Sequence, residues 1–131
     1  MKILVDTNVL ISAMVFDGRV LRLLKFLIEA CYDVLVSEYV DNEFHDKLLT
    51  KWPSKAEEIY TVLHNMNFIF CSSTQNLSGT LRDPDDIPVL SDAIYHNADI
   101  ILTGDKDFLE AGIAQPLIYS PSMLADLLRI R

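Results

Sequence analysis

The chain has 131 residues, half of them hydrophobic, and a formal net charge of −8. Its length predicts a single domain, residues 1–131, and its mean hydropathy of +0.22 excludes an intrinsically disordered chain. No apolar run reaches the roughly 18–20 residues that span a bilayer, and no signal peptide is recognisable, so we expect no membrane partner and a cytoplasmic location. The acidic balance argues against a broad basic surface for duplex binding. A nucleic-acid substrate stays possible, because bound cations offset carboxylates gathered in a site.

The opening stretch, residues 2–12, predicts a buried strand, a loop and the start of a helix. The apolar run Ile3–Val5 ends in small polar residues, which is typical of a strand that stops at a loop. Ligands of open parallel sheets bind at the carboxyl ends of the strands, so Asp6 is placed to meet a ligand. Thr7 or Asn8 is expected to cap the helix through its side-chain oxygen.

A helix, a strand and a second helix are predicted next. Arg19–Ala30 has apolar residues at helical spacing, and Asp33–Val36 has the pattern of a short strand. Ser37 can cap a helix that runs to about Trp52, before a proline. Glu43 lies at the edge of the apolar stripe of that helix, where its carboxylate can point inward or into solvent.

The middle of the chain predicts one more helix and strand before an irregular loop. Ser54–Asn65 is the helix, with its first residue as cap, and Phe68–Cys71 is the strand. Ser72–Thr80 is polar and without periodicity. Cys31 and Cys71 lack the spacing of a zinc site and are expected to be buried, reduced thiols.

The densest acidic cluster follows in the segment RDPDD, residues 82–86. It precedes a predicted helix over Ile87–Ala98. The dipole at a helix start and an Asp cap can account for two of its three carboxylates. The third carboxylate would be repelled by the others unless a cation is bound, which favours a metal.

A fourth strand and a second set of carboxylates complete the pattern. The strand Asp99–Leu102 is followed by small polar residues that begin with Thr103 and include Asp105 and Asp107. A short helix near residues 108–110, an edge strand over Pro116–Tyr119 and a final helix to about residue 128 come last. Strands that alternate with helices predict an α/β fold, in which a parallel sheet has helices on both faces.

The carboxylates predict the chemistry of the site. The candidate ligands are the acidic side chains near strand ends and helix starts: Asp6, Glu43, Asp86, Asp105 and Asp107. Oxygen ligands without His or Cys select Mg²⁺ or Mn²⁺, and carboxylates around such ions are a usual device for phosphodiester hydrolysis. No Walker A, dinucleotide-binding or nucleophile-elbow motif is present in the sequence.

The arrangement resembles a PIN-domain protein over nearly the whole chain. The resemblance lies in DTNVLIS, SEYVDNEF, RDPDDIPVLSDAI and ADIILTGDKDFL, in that order. The RDPDD and TGDKDFL spellings most closely resemble the toxins of toxin–antitoxin systems related to VapC-type ribonucleases. The resemblance implies a PIN-like three-layer sandwich with a central parallel sheet of about five strands. It also implies a metal-dependent endoribonuclease, with RNA as substrate, an antitoxin as possible partner and a homodimer as the expected assembly.

Carried over residue by residue, the resemblance assigns the site. The catalytic and metal-binding quartet would be Asp6, Glu43, Asp86 and Asp105. Asp107 would assist at the metal, and the supporting residues would be Asn8, Thr103 and Asp83. Asp83, Asp85 and Asp92 remain alternatives to Asp86 as the third acid.

Two other functions are compatible with the sequence. One is an RNA-processing nuclease of the same fold that has no antitoxin. The other is a non-catalytic metal-binding or regulatory α/β module, such as a phospho-receiver domain, although no mid-chain strand ends in Asp. The residues that could contact RNA are the scattered cations Arg19, Arg22, Lys25, Lys47, Lys51, Lys55 and Arg82.

Overall fold

A computed structural model describes residues 1–77, 81 and 84–130. Within these residues the sheet has five strands, all parallel, in the order β3-β2-β1-β4-β5. The strands are β1 (Lys2–Val5), β2 (Asp33–Ser37), β3 (Ile69–Cys71), β4 (Ile100–Leu102) and β5 (Leu117–Tyr119). The parallel sheet and the position of its last strand at an edge confirm the sequence predictions.

Helices connect the strands as the hydrophobic periodicity predicts. They are α1 (Thr7–Ile11), α2 (Gly18–Glu29), α3 (Glu38–Lys51), α4 (Ala56–Asn65), α5 (Ile87–Tyr95), α6 (Lys106–Leu109) and α7 (Pro121–Leu128). A π-helical turn, Ser12–Phe16, extends α1, and a 3₁₀ turn, Pro84–Asp86, leads into α5. None of the helices in the described part of the chain is long and apolar enough to cross a membrane.

The two central strands are buried on both faces. Successive side chains of a strand point to opposite sides of the sheet, yet every residue of Ile3–Val5 and of Ile100–Leu102 is buried. Helix α2 packs against α7, whereas α3 packs against α1, α4 and α5. The sheet therefore carries a helical layer on each face, which is the predicted three-layer sandwich.

Three local expectations are wrong. Helix α4 begins at Ala56, two residues later than predicted, because residues 53–55 form a turn, and Ser54 does not cap it. Cys31 is exposed, since it takes a left-handed conformation (φ 67°) where the chain leaves α2 for β2. Cys71 is half-buried at the end of β3. Burial and then the nearby Asp92 carboxylate raise the pKa of Cys71 to about 11, although Lys2 offsets part of the rise.

The strand order creates a crevice between β1 and β4. From β1 the chain builds outward through β2 to β3, then returns to the other side of β1 to form β4 and β5. The carboxyl ends of β1 and β4 thus meet at the point where the direction of building reverses. The Asp6 N–H donates to the Leu102 carbonyl (2.9 Å) and continues the ladder into this crevice. Ligands of open α/β sheets bind at such a position.

Candidate active site at the switch point of the sheet

Asp6 is a buried carboxylate fixed by two hydrogen bonds at the end of β1. Its Oδ1 accepts from the Thr7 N–H (2.8 Å), and its Oδ2 accepts from the Thr103 hydroxyl (2.8 Å). Only 4% of Asp6 is exposed. Asp6 itself is the cap of α1, so the prediction that Thr7 or Asn8 caps this helix is wrong. The reason is that Asp6 is the last residue with extended backbone before the helix begins.

The turn after β4 supplies the second part of the site. The buried Thr103 hydroxyl donates to Asp6 and accepts from the Asp105 N–H (3.1 Å). The Asp105 Oδ1 in turn accepts from the Asp107 N–H (2.8 Å) and caps α6. Thr103 therefore joins the two strand ends, and both Asp105 and Asp107 are half-buried beside it.

Electrostatic coupling connects Asp6 to two other predicted acids. Burial is the largest cause that raises the pKa of Asp6 above its usual value, and the bonds from Thr103 and Thr7 offset part of this rise. The negative charges of Glu43 and Asp105 raise the pKa of Asp6 further. The structure thus brings Asp6, Glu43 and Asp105 near one another from β1, α3 and the turn after β4.

Tyr39 belongs to the same neighbourhood, and the sequence analysis missed it. Its hydroxyl donates to the Asp85 carbonyl (3.3 Å), which connects the first turn of α3 to the 3₁₀ turn before α5. Burial, then the charges of Glu43, Asp85 and Asp6, and then a hydrogen bond with Glu43 raise the pKa of Tyr39 to about 12. An aromatic residue next to apolar ones in a helix has the pattern of an ordinary core residue. Only its spacing of four residues before Glu43 could have pointed to the site.

Two of the alternative acids have different surroundings. Asp92 is 1% exposed, and its carboxylate accepts from the Ser73 hydroxyl (2.6 Å) and the Thr74 N–H (2.7 Å). Ser73 in turn accepts from the Tyr39 N–H (2.8 Å), so Asp92 holds the loop after β3 against α3. Asp86 is buried at the start of α5. Asp92 thus anchors that loop, and Asp86 stays our prediction for the third acid because of its place at the start of α5.

The remaining predicted residues lie around this centre or outside the described chain. Asn8 is exposed on α1, and its Oδ1 accepts from the Lys47 ammonium (3.4 Å). Asp85 is exposed in the 3₁₀ turn. Asp83 and Arg82 lie outside the described residues.

The donor set fits a hard divalent cation. The coupled side chains carry carboxylate oxygens, and no Lys, Arg or His nitrogen lies within 4 Å of Asp6, Glu43 or Asp105 among the described residues. Within residues 1–77, 81 and 84–130, no group of three or more His, Cys, Asp or Glu side chains is already arranged to hold a metal ion. The pKa of Asp6 is raised in part by the charges of Glu43 and Asp105, and a cation such as Mg²⁺ or Mn²⁺ bound beside Asp6 would stabilise its anion.

Known proteins are similar to this chain in sequence family and in fold. A family model described as the PIN domain matches residues 2–107. The structure of VapBC2 from Rickettsia felis bound to a DNA fragment from their promoter matches with a TM-score of 0.72 and 14% identity, covering 92% of this chain and 98% of that one. The sarcin-ricin loop cleaving toxin VapC20 of Mycobacterium tuberculosis matches with a TM-score of 0.62 and 16% identity, covering 86% and 97%. No curated protein sequence matches significantly.

Proposed function

This chain belongs to the PIN domain family, and from that membership and its acidic site we propose that it is a metal-dependent endoribonuclease. The observation that carries the proposal is the buried Asp6 carboxylate at the switch point, which accepts a hydrogen bond from Thr103. The negative charges of Glu43 and Asp105 destabilise the anionic form of Asp6. A protein keeps a buried carboxylate beside other carboxylates at a cost in stability. A cation bound at this position would stabilise the carboxylate anions and offset that cost.

Four residues of the chain would hold the ion. Asp6 and Asp105 reach it from two strand ends, Glu43 from α3 and Asp86 from the start of α5, with Asp107 as a further oxygen donor. Mg²⁺ or Mn²⁺ bound there would activate water and stabilise charge on the phosphodiester oxygens. Thr103 orients the Asp6 carboxylate by donating to its Oδ2.

We further propose that the chain acts as a single domain and as the toxin of a toxin–antitoxin pair. Support comes from the fold that it shares with VapBC2 and VapC20, the second of which cleaves the sarcin-ricin loop. The RNA substrate, the antitoxin partner and the homodimer are parts of this proposal. Induced expression of the chain should arrest growth of a bacterial host, and Asp6→Asn should relieve the arrest. Equal arrest by both chains would contradict an enzymatic toxin.

Cleavage of RNA tests the enzyme directly. A structured and an unstructured RNA are incubated with the protein in Mg²⁺, Mn²⁺ or EDTA, beside Asp6→Asn purified in the same way. We expect cleavage that requires the metal and disappears in the variant. Cleavage that persists in EDTA, or that Asp6→Asn retains, would identify a contaminating nuclease or a different site.

A further inference from the structure

A groove of about 390 Å³ runs along helix α3 beside the acidic site. All of its lining residues belong to α3, from Tyr39 in the first turn to Lys51 at the last residue. Glu43, one of the proposed metal ligands, is among them. Because Glu43 belongs to both, a ligand bound in this groove would lie next to a ligand bound at the acidic site.

The sequence of α3 changes in character along this groove. Tyr39, Glu43, Lys47 and Lys51 follow one another at intervals of four, so they lie on one side of the helix. At a rise of 1.5 Å per residue, about 18 Å separates the first from the last. The groove thus has Glu43 toward one end and two lysines, one helical turn apart, toward the other, with the Asp46 carboxylate also in its lining.

Lys47 keeps its charge available in this groove. It is half-buried, and its ammonium lies 3.4 Å from the neutral Asn8 Oδ1. Glu43 stands at the spacing that favours a helical ion pair with it. Even so, the only ion pairs within 4 Å among the described residues are those of His45 with Glu57 and His64 with Asp41. A cation held near the acids by an amide, rather than neutralised by one of them, is suited to bind an incoming anion.

We propose that this groove carries the RNA strand away from the acidic site, with Lys47 binding a phosphate that flanks the scissile bond and Lys51 binding a phosphate beyond it. The inference rests on the proposed function. A chain of net charge −8 repels a polyanion, so phosphates outside the metal site need cations of their own. Two lysines in line on one face of α3 can contact phosphates of a single strand.

RNA affinity and its salt dependence test this assignment. In the Asp6→Asn background, binding of a short fluorescein-labelled single-stranded RNA is followed by anisotropy over a range of KCl concentrations, for Lys47→Gln, Lys47→Arg and Lys25→Gln. Lys25 is an exposed cation of α2 outside the groove, so it controls for the change in net charge. Loss of one phosphate contact should lower the salt slope by about 0.7, which amounts to about fivefold weaker binding at 0.1 M salt. Lys47→Arg should bind RNA with the same affinity as the Asp6→Asn parent protein.

The results separate the inference from the function on which it rests. If Lys47→Gln and Lys25→Gln have the same affinity and slope while the wild type cleaves RNA, the groove assignment is overturned and the nuclease stands. If Lys47→Gln, made in the chain that keeps Asp6, weakens Mn²⁺ binding as much as Lys47→Gln weakens RNA binding in the Asp6→Asn background, Lys47 acts through Glu43 and the assignment is also overturned. A wild type that neither binds nor cleaves RNA overturns both proposals. In active enzyme, the predicted signature of Lys47→Gln is a raised KM with little change in kcat.

Discussion

Two acidic regions of this molecule use similar side chains in opposite ways. The first is the switch-point site, defined by Asp6, Glu43 and Asp105. The second is the α3–α4 aromatic cluster, which consists of Asp41, His45, Glu57, Tyr60, His64 and Phe70. In the aromatic cluster each carboxylate has a donor: Asp41 accepts from the Tyr60 hydroxyl (2.9 Å) and lies 2.8 Å from a His64 ring nitrogen. Glu57 lies 2.8 Å from a His45 ring nitrogen.

Ring packing strengthens the difference between the two regions. His45 stacks on Tyr60 with centroids 4.0 Å apart, and His64 stacks on Phe70 at 4.2 Å. At the switch point, by contrast, the charges of Glu43 and Asp105 disfavour the anion of Asp6. The acids of the aromatic cluster are paired with donors, whereas the acids of the switch point are coupled to one another, which is why we propose that a cation binds there.

The largest expected effect comes from removing the charge at the centre of the switch-point site. Asp6→Asn should lower metal-dependent cleavage by about a thousandfold or more, because a charged metal ligand is lost. The fold should survive, since an Asn oxygen can accept from Thr7 and its amide can donate to the Thr103 hydroxyl. In EDTA the melting temperature should rise or stay the same. A fall of several degrees would contradict the cation-site account.

The matched change in the aromatic cluster should have the opposite effect. Asp41→Asn removes the charge that the Tyr60 hydroxyl and the His64 ring face, so we expect the free energy of unfolding to fall by about 1 kcal/mol. Cleavage should keep its wild-type rate. Urea unfolding and initial rates measure the two quantities. A loss of activity comparable to that of Asp6→Asn would show that the two regions do not differ as described.

A pair of tyrosines sharpens the comparison. Burial and neighbouring acids raise the pKa of both Tyr39 and Tyr60 to about 12, and each hydroxyl donates a hydrogen bond. Tyr39→Phe should weaken Mn²⁺ binding several-fold, on the order of 1 kcal/mol, because Glu43 and the 3₁₀ turn lose a shared contact. Tyr60→Phe should cost similar stability and leave Mn²⁺ affinity unchanged. Equal Mn²⁺ affinities in the two variants would remove Tyr39 from the site.

The smallest expected effect is on the pH dependence of stability without metal. Burial raises the pKa of Asp6 in the folded protein, so between the unfolded and folded pKa values the folded state binds more protons. The contribution of Asp6 to stability is therefore greatest below its unfolded pKa and is lost as pH rises through the folded value. Urea unfolding in EDTA over this range should show a steeper decline for the wild type than for Asp6→Asn. Parallel curves would mean that the Asp6 anion is not disfavoured.

These differences also explain what could be predicted from the sequence. Buried parallel strands give continuous apolar runs, so the ends of β1 and β4 can be located; Asp6 follows β1 directly, and Asp105 stands in the turn after β4. Tyr39 and Asp92 could not be predicted, because their roles depend on contacts with Asp85 and with Ser73 that are distant in sequence. Sequence spacing alone left Asp86 and Asp92 as alternatives, and the choice of Asp86 as the third acid stays a prediction.

Calorimetric titration with Mn²⁺ tests the central claim most directly. Wild-type protein, Asp6→Asn and Asp41→Asn are titrated under identical conditions after removal of metal with EDTA. The account predicts a saturable isotherm for the wild type, the same isotherm for Asp41→Asn and none for Asp6→Asn. Binding by Asp6→Asn as tight as that of the wild type, or no binding by the wild type, would contradict it.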